Sequence, residues 1–133
     1  MAMSGVGVGL GDFIALPQFA LRVYQVCRDA PEDFWDLSAQ VHSLSLLLQN
    51  INTTLANISI DETAKAQGKL LLQESEATLK EVETKMNKFR TETPNRLGKR
   101  DLLRWVVDNL GAVRIRMQGN AIGLTAYLQN LTL

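Results

Sequence analysis

The chain has 133 residues, enough for one domain with a single modest core, since a compact domain near this size buries roughly two-thirds of the surface its unfolded chain exposes. Its 14 basic and 14 acidic side chains leave a formal net charge of zero, which excludes the strongly basic footprint of a nucleic-acid binder. The single cysteine, Cys27, excludes an internal disulfide, and with no secretory leader pattern ahead of the fold it points to a reducing, cytoplasmic setting. No apolar run approaches the roughly 18 to 20 residues that a membrane-spanning helix requires.

The first segment, "GVGVGLGDFIAL" from Gly5 to Leu16, alternates Gly with Val and Leu before an apolar helix-forming stretch. It fails as a dinucleotide loop, because the third glycine position holds Leu10 or Asp12 and no strand precedes it. The "GKL" at Gly68 and "GKR" at Gly98 lack the hydroxyl residue of a Walker loop. Phe13, Leu16, Ala20, Val23 and Cys27 then predict a first helix, with Pro17 either inside its first turn or starting a second piece.

From Pro31, the apolar residues Phe34, Leu37, Val41, Leu44, Leu48, Ile51, Leu55 and Ile58 recur at steps of three and four, the seam of a long second helix. Asp61 is the predicted N-cap of a third, with Ala64, Leu71, Ser75, Leu79, Val82, Met86 and Phe89 on one face. The i,i+4 pairs Glu76–Lys80 and Glu81–Lys85 lie on another face, and the helix is expected to end near Arg90. "TETPNRLG" has the Pro, Asn and Gly of a connection. After it, "KRDLLRWVV" predicts a short extra helix, and Asp108 would cap a last helix with Leu110, Val113, Met117, Ala121, Leu124, Leu128 and Leu131 on its seam. Four apolar seams with short connections predict one all-α domain over 1–133, an antiparallel bundle of four main helices.

Candidate chemistry is sparse. His42, the sole histidine, lies one position past Val41 at the edge of an apolar seam, with no second ligand or nucleophile near it in sequence. Cys27 reads as a small buried thiol. The acids of "PEDFWD" occupy a first helical turn, where they offset the positive end of the helix dipole. Trp35 and Trp105 read as core or boundary aromatics. No catalytic, cofactor-binding or metal-binding residue is assigned, and the chain is expected not to be an enzyme. Charge is nevertheless uneven: Lys85, Lys88, Arg90, Arg96, Lys99, Arg100 and Arg104 stand against only Glu92 and Asp101, a cluster suited to anionic lipid headgroups.

The stretch "GVGVGLGDFIALPQFALRVYQVCRDAPEDFWDLSAQVHSLSLLLQNI" resembles the start of the HeLo-like N-terminal domains of fungal STAND-type (NOD-like) receptors. The shared elements are the Gly-rich apolar start ending in "GDFIAL", the "VYQVCRDAPEDF" junction and the "LSAQVHSLSLLLQNI" helix. A charged third helix, the basic "GKRDLLRW" and a leucine-rich last helix extend the likeness more loosely over the rest of the chain. The resemblance implies a helical bundle acting in innate immunity, heterokaryon incompatibility and programmed cell death. Clustered or released by its receptor, such a domain self-associates and attacks a membrane. Its implied partners are further copies of itself, an anionic membrane surface and downstream receptor domains in the same chain, with no nucleic acid. Its implied location is the cytoplasm, moving to the plasma membrane on activation.

On this reading Val6, Val8, Leu10, Phe13, Ile14 and Leu16 are the candidate insertion or self-association residues, and Arg96, Lys99, Arg100 and Arg104 the candidate lipid contacts. The alternative of a different class is a soluble helical adaptor or dimerisation module that touches no lipid.

Overall fold

The computed structural model describes residues 13–92 and 98–132, and every regular element within them is helical. Helix α1 spans Leu16–Arg28, with Pro17 in its first turn, where its missing N–H has no intrahelical partner to lose. Of the two placements open for Pro17, the first-turn one holds, and α1 is unbroken. Pro31 disfavours helical backbone at Ala30, so the chain leaves α1 and makes a short 3-10 turn at Glu32–Phe34. Helix α2 then spans Trp35–Asn57, starting four residues after the expected Pro31.

Its seam is buried from Leu37 to Ile51; Ile58 leaves the helix in extended backbone and is largely exposed. Asp61 caps α3, Glu62–Glu92, by accepting a hydrogen bond from the Ala64 N–H at 2.8 Å. Both expected i,i+4 ion pairs form, at 3.8 Å each. The expected short helix before the last does not exist separately: α4 runs unbroken over Lys99–Thr132. Asp108 carries no cap there, because Val106 and Leu110 are buried on one continuous seam and no proline interrupts it.

Side-chain meetings across the helices set their directions. Asn52 reaches the carbonyls of Phe13 and Ile14 while Tyr24 stacks on His42, so α1 and α2 are antiparallel. Tyr127 reaches Ala64, Asn120 meets Thr78 and Arg116 meets Glu81, so α3 and α4 are antiparallel. Phe34 meets Trp105 and Gln40 meets Arg114, so α2 and α4 run parallel. The ring closes by contact between α1 and α3. Consecutive α2 and α3 therefore occupy opposite corners of the bundle instead of packing side by side.

The core is built from Val23, Phe34, Leu44, Leu48, Leu79, Met86, Leu110 and Leu124, all inaccessible to solvent, with Cys27 among them. At one end Phe34, Phe89 and Trp105 form a tilted aromatic cluster with centroids 4.8 to 6.0 Å apart. The buried Thr78 hydroxyl lies 3.0 Å from the Glu74 carbonyl and 2.7 Å from the Asn120 amide. A hydroxyl has one hydrogen, which Thr78 donates to the nearer acceptor, the Asn120 Oδ1, across the two helices.

Candidate functional site

The insertion candidates enter the described structure at Phe13. Phe13 and Leu16 are buried in the core, whereas Ile14 between them is 71% exposed. The Asn52 side chain of α2 donates to the Ile14 carbonyl at 3.2 Å and lies 3.4 Å from that of Phe13, tying this stretch to the bundle. Beside it an open cleft of about 360 Å³ is lined by Ile14, Asn52, Leu55, Ile58, Ile60 and Lys65. Val6, Val8 and Leu10 lie outside the described residues.

Among the lipid-contact candidates, Arg100 and Arg104 are exposed one turn apart on the first turns of α4, which Lys99 begins. Arg96 lies outside the described residues. Leu103 and Val107 are exposed on the same side of the helix, and at the start of α2 Trp35 is 58% exposed, next in sequence to Phe34, which packs on Trp105. This tip therefore combines cationic and aliphatic groups, a mixture that favours a headgroup boundary.

The fold does not bring the two candidate groups together. Asn52, which holds the opening stretch, and Trp35, near the basic tip, are about 25 Å apart along α2 at about 1.5 Å per residue. Phe13 and Ile14 on one side, and Arg100 and Arg104 on the other, thus mark opposite ends of the bundle.

Two features escape a reading of the seams. The Asn52 clamp has no sequence signal, because an asparagine facing a distant backbone looks like any polar helix residue. Leu103, Val107, Ile115 and Ile122 do leave a trace, as apolar residues of α4 off its buried seam. His42 lies exposed with its ring 4.8 Å from that of Tyr24, consistent with a boundary residue. Burial pushes the Cys27 thiol from 9.0 up to about 12, which holds it as the unreactive protonated form. Among the described residues no three His, Cys, Asp or Glu side chains stand close enough to hold a metal ion, and no helix is long and apolar enough to cross a membrane. No protein-family model, curated protein or solved structure matches this chain.

Proposed function

We propose that the chain is a non-enzymatic N-terminal effector domain that self-associates and acts on membranes in cell-death signalling, as its first fifty residues imply by resemblance. The observation that carries the membrane part is the exposed tip of Arg100, Leu103, Arg104 and Val107. Each basic residue near an anionic surface contributes roughly 1 kcal/mol, and the apolar neighbours add shallow burial. In this reading the folded bundle is the resting form: Phe13 and Leu16 must leave the core before they can enter lipid. It works in the cytoplasm and reaches the plasma membrane on activation, linked to downstream receptor domains.

A second reading, a soluble interaction module, draws support from the burial of Phe13 and Leu16 and from the distance between the two candidate groups. Dye leakage from vesicles separates the two. The effector reading expects the full chain to permeabilise anionic vesicles more than neutral ones, and a chain lacking residues 1–11 to stay folded and lose that activity. No leakage from anionic vesicles at low salt would establish the soluble module. Equal leakage by the shortened chain would move the permeabilising element away from the opening segment.

A further inference from the structure

Charge is spread unevenly over this bundle. Helix α3 carries acidic and basic side chains along its length, whereas no Asp, Glu, Lys or Arg occurs between Leu37 and Ile60 or between Met117 and Thr132. These uncharged stretches fall largely on α2 and α4, which lie side by side and parallel, so they merge into one uncharged face. Gln40 beside Arg114, and Ser43 beside Gln118, set a register that places Leu46 level with Ala121 and Ile122. Leu46 on α2 and Ile115 and Ile122 on α4 are 48%, 71% and 66% exposed. A groove of about 250 Å³ between the helices is lined by Ala39, Ser43, Met117, Gln118 and Ala121. The bundle uses none of the three exposed residues, because α4 buries a different face through Val106, Leu110, Val113, Met117 and Leu124.

We infer that two copies of this chain pair through the α2–α4 face, about a two-fold axis lying along the groove and parallel to the helices. Protein interfaces are depleted of charge at their centre, and near a two-fold axis every residue meets its own copy, so a charge there would face itself. Ala39 and Ser43 on α2 of one copy can lie against Gln118 and Ala121 on α4 of the other without that penalty. A strongly charged partner or a layer of anionic headgroups gains nothing from this surface.

The direction of pairing follows from where the charges stop. Asp36, Arg104, Asp108 and Arg114 all lie toward one end of the face. With the axis parallel to the helices, α2 of one copy lies along α4 of the other, uncharged half against uncharged half, and Asp36 meets the arginine-bearing end. An antiparallel pairing would lay those charges over a surface that offers them no partner. Helix α2 runs beside α4 for its 23 residues, about 34 Å, and the two helices are about 20 Å across, or roughly 700 Å² per copy, close to the roughly 800 Å² per partner of a standard interface. Both Arg100–Arg104 tips then point the same way, and one anionic surface meets two basic clusters at once. This inference rests on the self-association part of the proposed function and is independent of its membrane part.

Sedimentation of the full chain over a range of concentrations tests it. The parent is expected to dimerise, and Leu46→Lys with Ile122→Lys to weaken dimerisation by at least about a hundredfold with unchanged helical circular dichroism, since four like charges then meet in one interface. Leu70→Lys, at an exposed position on α3, is expected to leave dimerisation as it was. Cysteine variants test the direction: mixed Ser43→Cys and Gln118→Cys chains, exposed at one level on α2 and α4, should form a mixed disulfide-linked dimer, whereas antiparallel pairing lays α2 on α2 and leaves this mixed pair unlinked. A parent that stays monomeric at every concentration overturns the inference, whether or not it binds vesicles or another protein. A dimer that survives the double lysine variant, or dissociates equally on Leu70→Lys, overturns it too. Dimerisation without vesicle leakage would keep the interface and remove the membrane reading; leakage by a strict monomer would do the reverse.

Discussion

At Gly68 the backbone of α3 passes so close to Tyr127 of α4 that an added Cβ would fall within 3 Å of the phenol, whose hydroxyl donates to the Ala64 carbonyl at 2.7 Å. Gly68→Ala is expected to cost about 1 to 3 kcal/mol, because the ring must move and its hydrogen bond with it. Gly111 in α4 has nothing within 4 Å of the same position, so Gly111→Ala is expected to stabilise by up to about 1 kcal/mol through helix propensity alone. Urea denaturation of the two variants checks both signs. Cys27 makes a pH-dependent contribution. Its folded value is raised to about 12 by burial while the unfolded thiol ionises near 9.0, so the folded state keeps a proton that the unfolded chain gives up. That contribution is complete below pH 9 and falls by about 1.4 kcal/mol per pH unit as the pH rises from 9 to 12. Burial of Tyr127 raises its phenol as well and adds a loss in the alkaline range. Urea midpoints measured from pH 7 upward should decline above pH 9, less steeply in Cys27→Ala, and native Cys27 should resist thiol reagents until the domain unfolds.

At the scale of the element, α2 is the helix on which the bundle turns, packing against both α1 and α4 with Leu37, Val41, Leu44, Leu48 and Ile51. Leu48 is wholly inaccessible. Leu48→Asp would bury an unpaired carboxylate at a cost of several kcal/mol, against a typical domain stability of about 5 to 15, and is expected to abolish the cooperative melt. A variant with full helical dichroism and an unchanged midpoint would mean that this seam faces elsewhere. The continuity of α4 matters in a different way. Because it does not break at Asp108, it carries the arginines of its first turns rigidly on the helix that also bears Leu110, Val113 and Met117 in the core.

For the whole molecule, the consequence of the topology is that Phe13 and Ile14 lie at the end of the bundle opposite Arg100 and Arg104. Arg100 and Arg104 are exposed and take no part in the ion pairs found among the described residues. Replacing both with Gln is therefore expected to shift the melt by no more than about 0.5 kcal/mol while weakening binding to anionic vesicles in a salt-dependent way. Co-sedimentation with vesicles at low and high salt reads this out. Binding that is equal before and after the substitution would remove the tip from the membrane reading.

By itself the sequence determined the four seams, the N-cap at Asp61, the end of α3 close to Arg90 and the burial of Cys27, because each depends on local spacing or on one residue's chemistry, while most of the expected connection from Thr91 to Gly98 lies outside the described residues. The helix boundaries were less legible: Pro31 begins a 3-10 turn instead of α2, and the expected break at Asp108 is absent. Both hinge on whether neighbouring helices bury the intervening turn, as Phe34 and Val106 are buried. Two core positions shifted for the same reason. Leu72 is fully buried where Leu71 was expected, and Tyr127 replaces Leu128; Tyr127 packs over Gly68 and Leu71 over Gly123 where α3 and α4 meet. Only the tertiary structure decided that α2 and α3 lie diagonally, that Asn52 clasps the opening stretch, and that the uncharged runs of α2 and α4 form one surface. Periodicity shows which side of a helix is apolar, but which helix stands beside it is set by how four seams close around one core.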